Sequence, residues 1–143
     1  MSTLTLEYFL LIAGIGHFGI LIASALTPFV LDWKNVLKPL SPFLYKLFWV
    51  YGGFIVLVII CMGILTLLNI KSMATGNTEA RMIAGFIAVF WGARLLVQIF
   101  IFDVKEYLTN FWLKLGYHTL TAAFIYFTIL YSLVAFGFNF WRQ

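Results

Sequence analysis

Four long apolar runs, each of about 20 residues or more, dominate the chain, and only short polar segments separate them. A bilayer hydrocarbon core about 30 Å thick is crossed by about 20 apolar residues in an α-helix, since in hydrocarbon each spanning segment must satisfy its own backbone N–H and C=O groups. The runs predict membrane-spanning helices over about residues 8–31, 47–70, 82–102 and 111–140. Of the 143 residues, 64% are hydrophobic, 20% aromatic and 10% charged, and the mean hydropathy is +1.04. A soluble fold could not cover that much apolar surface. The expected fold is all-α: one transmembrane domain over residues 1–143, built as an up-down four-helix bundle with the lipid bilayer as its main partner.

Two connecting segments read as pieces lying in the membrane interface. Residues 32–46 carry Trp33, Lys34, Lys38, Pro39, Pro42 and Lys46 among apolar side chains, and residues 103–114 form a similar stretch. Both fall on the side opposite the N-terminus, here side B; the side holding the N-terminus is side A. Between the second and third runs, Thr75-Gly76-Asn77-Thr78 supplies a turn and an N-cap. Side B holds Lys34, Lys38, Lys46, Lys105 and Lys114 against Lys71, Arg81 and Arg142 on side A. The positive-inside rule therefore expects side B to be cytoplasmic and both termini to be on the non-cytoplasmic side, with a bacterial inner membrane as the setting. Met1 to Glu7 has no basic residue before the first run, and that run ends without a small-residue cleavage pattern, so it reads as a helix and not as a cleaved signal.

The net charge of +4 is scattered, which suits lysines facing lipid headgroups and gives no nucleic-acid footprint. Cys61 is the only cysteine; it excludes an internal disulfide or a CxxC pair and reads as a packing residue. Small residues mark contact faces: Ala84, Ala88 and Gly92 in the third run, Gly14, Gly16 and Gly19 in the first, Gly52 and Gly53 in the second. They serve either contacts within one bundle or a homo-oligomer.

Polar residues at membrane depth are expensive and normally face the bundle interior or a wet cavity. His17 lies roughly 13 Å from side A, near mid-membrane, and Arg94 roughly 12 Å inside side B, too deep for easy snorkelling. Trp91, Arg94 and Gln98 share one helical stripe, and Tyr117, Thr121, Phe124, Thr128 and Tyr131 share another, with His118 at its edge. Ser24, Tyr51, Arg94, Gln98, Tyr117 and His118 together predict a polar and aromatic layer in the side B half, with His17 as its deepest member. Arg94 either locks the bundle or meets an anionic group.

These residues suggest a cofactor site of His17, Arg94, Gln98, Tyr117 and His118 in a small membrane redox subunit binding b-type haem or quinone. His17 and His118 are the expected iron ligands, and Arg94 the partner of a propionate or a quinone carbonyl. Opposed axial ligands should sit nearly level, whereas the two histidines differ in depth by about 9 Å at the helical rise. The alternatives are an accessory subunit of a larger membrane complex, and a small transporter or binder of an anionic amphiphile. A stand-alone enzyme is the least supported class, because HExxH, GxSxG, a Gly-rich phosphate loop and a level carboxylate pair are all missing from the sequence.

Overall fold

The computed structural model describes residues 3–103, 105 and 108–137. Six helices follow one another: α1 (Thr3–Val30), α2 (Trp33–Val36), α3 (Pro42–Leu68), α4 (Ile70–Thr75), α5 (Thr78–Phe100) and α6 (Phe111–Phe136). α1, α3, α5 and α6 are long and apolar enough to cross a membrane. Their 23 to 28 residues reach about 34 to 42 Å at 1.5 Å per residue, more than the hydrocarbon core requires. They alternate in direction and pack as a bundle. α1 lies along α3, α5 lies along α6, and α1 also meets α4 and α6.

The helix ends follow capping chemistry more closely than hydropathy. α3 begins five residues before its apolar run because Ser41 accepts a hydrogen bond from the Leu44 N–H and Pro42 occupies the first turn, where its missing N–H costs nothing. α5 begins at Thr78, four residues early, because the Asn77 side chain accepts from the Glu79 N–H. The turn signal at residues 75–78 is thus used, with Gly76 in the left-handed region at φ 81°. α4 occupies part of what the sequence presents as a polar loop. α6 is capped by Asn110, and Gly137 ends it at φ 58°; the expected continuation to residue 140 lies outside the described residues. Of the two interfacial segments, the first contains α2, preceded by Asp32 in a left-handed conformation that Asn35 braces through its side-chain amide. The second includes residues 104, 106 and 107, also outside the described ones.

Burial is uneven along the membrane normal. The buried residues of α1 run from Leu10 to Ile20 and those of α3 from Ile59 to Thr66, while those of α6 run from Phe124 to Val134. All of these lie in the middle and the side A half. Glycines set the closest approach there: a Cβ on Gly63 would come within 3.1 Å of the His17 Cβ, and one on Gly14 within 2.6 Å of Leu67. Gly19, Gly52 and Gly53 have no atom within 4 Å of where a Cβ would stand, so among the described residues no neighbour requires a glycine at these three positions. On α5, Ala84 and Ala88 are buried, and Gly92 and Gly85 approach Thr128 and Ala135 of α6, as the small-residue spacing predicts. Cys61, expected in the packing, is exposed on α3. Exposed apolar side chains cover the outer faces of all four long helices, including Ile12, Phe54, Phe86 and Ile129, and the lipid bilayer is the medium that accommodates them.

Candidate functional site

The polar residues at membrane depth divide into two groups that Phe124 connects. The first is centred on His17, which is fully buried. Its Nδ1 lies 2.8 Å from the Ala13 carbonyl oxygen, and its Nε2 lies 2.9 Å from the indole nitrogen of Trp91. A carbonyl only accepts and an indole N–H only donates, so the ring is the neutral tautomer carrying its proton on Nδ1. Phe127 stacks on the imidazole at 4.6 Å between centroids, and Trp91 and Tyr131 meet it edge-on. One turn towards side A, Thr66 is buried as well. Its hydroxyl donates to the Met62 carbonyl at 2.9 Å and therefore accepts from the Tyr131 hydroxyl at 2.7 Å, tying α3 to α6.

The second group lies towards side B. Gln98 is buried and donates to the Thr121 hydroxyl, while the Tyr117 hydroxyl donates to the Gln98 carbonyl at 3.3 Å. Arg94 is half-buried; its guanidinium carbon sits 5.2 Å from the Phe102 ring centre and 5.4 Å from that of Phe124, within cation–π range. Phe102 reaches it because α5 closes on a tight turn in which the N–H groups of both Ile101 and Phe102 point to the Val97 carbonyl. The Nη1 atom of Arg94 is buried and has no hydrogen-bond partner among the described residues. Such an atom is rare, because an unmatched donor in an apolar setting retains most of its desolvation cost.

At the side B ends of α1, α5 and α6 lies an open cavity of about 310 Å³ that shares Phe102 with Arg94. It is lined by Leu31, Ile101, Phe102, Asp103, Leu108, Leu113 and Tyr117. Phe102 is shared, forming part of the wall and covering the guanidinium behind it. The lining is mostly apolar, with Asp103 and Tyr117 as its polar residues.

Arg94, Gln98 and Tyr117 of the expected site therefore gather in one place. His17 stands apart in the central core with both ring nitrogens occupied by protein partners. His118 is exposed on α6, its ring 5.6 Å from that of Tyr117. It is nine residues from Phe127, the ring that stacks on His17, which is about 13 Å along the helix axis. The two histidines are not brought together. Tyr51 is likewise exposed and outside the predicted polar layer. Among the described residues no group of three or more His, Cys, Asp or Glu side chains is placed to hold a metal ion. Sequence reasoning missed Thr66, whose hydroxyl is hidden in an apolar run, and Phe102 and Asp103 as cavity residues. Comparison with protein-family models, curated proteins and solved structures finds no match to this chain.

Proposed function

We propose that this small polytopic membrane protein binds an anionic amphiphile in its side B half, with Arg94 meeting the negative group. The observation that carries this reading is the buried Nη1 of Arg94, unmatched among the described residues and set behind the wall of an apolar cavity. A guanidinium in such surroundings gains most from an acceptor that is itself charged, and a carboxylate or phosphate oxygen forms the strongest hydrogen bonds it makes. The rings of Phe102 and Phe124 flank the guanidinium, while Gln98 and Tyr117 are engaged with each other and with Thr121. Arg94 is therefore the member of the group with a buried nitrogen left unmatched among the described residues. The apolar remainder of the lining suits an acyl or isoprenoid chain.

The test is to purify the wild-type chain and Arg94→Gln in mild detergent and identify by mass spectrometry the amphiphiles each retains. Wild type should carry an anionic or phosphate-bearing amphiphile that the variant loses, with both proteins folded by circular dichroism. Identical retention by the two would overturn the proposal.

A quinone is the second reading, because its carbonyl oxygen would accept from the same Nη1 and would keep the chain in a redox complex. Haem asks for more. His17 would have to release the Trp91 indole to offer Nε2 to iron, and the opposite ligand would come from somewhere other than a level His118. Spectra of the purified protein before and after dithionite distinguish these occupants, since haem gives a Soret band and quinone an ultraviolet change.

A further inference from the structure

We infer that the ligand of the side B cavity is zwitterionic, with a phosphate and a primary ammonium joined as in a phosphoethanolamine headgroup. This rests on the reading of Arg94 as an anion contact and adds what Asp103 contributes. Two residues of opposite charge flank Phe102, itself part of the cavity lining: Arg94, whose guanidinium lies 5.2 Å from the Phe102 ring centre, and Asp103, the very next residue, which also lines the cavity. They do not neutralise each other. Nη1 of Arg94 has no partner among the described residues, and the Asp103 carboxyl accepts from the Lys105 backbone N–H at 3.3 Å, through Oδ1. Oδ2 remains for a further donor.

A cation and a carboxylate that flank one apolar residue without bonding each other are both satisfied by a ligand that carries the complementary pair. Phosphate meets the guanidinium, and an ammonium with its own N–H groups meets the carboxylate. A headgroup of glycerol alone would leave Asp103 facing a phosphate with no cation between them. A choline headgroup has the charge but no N–H to donate. The dimensions agree, since about 310 Å³ is at the low end of small-ligand sites and suits a headgroup with the first part of its chains. Leu31, Ile101, Leu108 and Leu113 in the lining favour a lipid over a free water-soluble zwitterion. Asp103 follows the end of α5, where a membrane headgroup would lie.

The experiment uses the full chain in detergent, incubated with dioleoyl lipids bearing ethanolamine, glycerol or choline headgroups and analysed by native mass spectrometry, with free phosphoethanolamine as a competitor. The ethanolamine lipid should be retained about tenfold or more over the other two, the equivalent of one charge-assisted hydrogen bond. Asp103→Asn should abolish that preference while glycerol-lipid binding stays the same or rises, and Arg94→Gln should lose both. Equal retention of the three lipids by wild type, or an unchanged preference in Asp103→Asn, overturns the zwitterion and leaves Arg94 as an anion contact. Unchanged retention in Arg94→Gln overturns the anion contact itself, and this inference with it. Displacement of the lipid by millimolar phosphoethanolamine keeps the headgroup chemistry and overturns the lipid as its source.

Discussion

Trp91 donates its indole N–H across the bundle to Nε2 of His17 at 2.9 Å, and that bond fixes which nitrogen of a fully buried imidazole carries the proton. Trp91→Phe keeps most of the ring volume and removes the donor, leaving Nε2 unmatched where water does not reach. The expected cost is about 1–3 kcal/mol, read as a lower midpoint in thermal or SDS unfolding of the detergent-solubilised protein. Nitrogen NMR of labelled His17 in the wild type should show a protonated Nδ1 and an unprotonated Nε2. A Trp91→Phe midpoint equal to wild type would mean that the bond contributes nothing to stability.

The Thr66 and Tyr131 hydroxyls form the other polar tie through the core. Tyr131→Phe removes the donor, and Thr66 still satisfies itself on the Met62 carbonyl, so the single change should be mild. A double-mutant cycle with Thr66→Val should give a coupling of about 0.6 kcal/mol, the average for hydrogen bonds between membrane helices, and no more than about 1.7. Strict additivity would show that the two hydroxyls do not act together.

Glycines in contact and glycines in the open should respond oppositely. In Gly63→Ala the new methyl meets the His17 Cβ at 3.1 Å, an atom that cannot rotate away, so α1 and α3 must separate slightly. A loss of about 1–3 kcal/mol is expected. Gly53→Ala meets no atom within 4 Å and should be neutral, or should stabilise by up to about 1 kcal/mol through helix propensity. Comparing the two melting midpoints checks the packing of α3 against α1 without reference to any ligand.

Arg94→Leu should fold and melt no lower than wild type in delipidated detergent. Gln98, one turn on along the same stripe, pairs with Thr121 and not with Arg94. Removing the cation therefore orphans no group among the described residues and relieves a buried donor. A large drop in midpoint would identify Arg94 as a lock of the bundle. Adding back the retained amphiphile should raise the wild-type midpoint and leave that of the variant unchanged.

The four spanning helices are legible in the sequence because length and hydropathy are nearly sufficient where backbone polar groups have no solvent. Their ends are less so. Ser41-Pro42 and Asn77 extend helices into polar sequence through local hydrogen bonds that a hydropathy window averages away. The inward stripe from Tyr117 to Tyr131 was readable from its spacing, as was the burial of Trp91 and Gln98. His118 was not, because one residue past Tyr117 is a turn of about 100° around the helix, enough to carry a side chain from the interior to the outside. Thr66 is equally silent. Threonines in these helices commonly bond their own i−4 carbonyl, as Thr27 and Thr119 do, and only the tertiary arrangement brings Tyr131 to one of them. The cavity depends on the turn that folds Phe102 back, and no periodicity encodes that turn.

The uneven burial goes with an uneven distribution of the ties between helices. At the side A end, Arg81 is bonded to the Ala135 carbonyl and Thr66 to Tyr131, and the Tyr126 hydroxyl reaches the Phe9 carbonyl, so the helix pairs are stitched together there. Towards side B the same helices hold one another through far fewer buried side chains, and α3 has none before Ile59. Parting the helices from side B would therefore expose less buried surface than parting them from side A, with the Gln98, Thr121 and Tyr117 bonds as the polar ties to break.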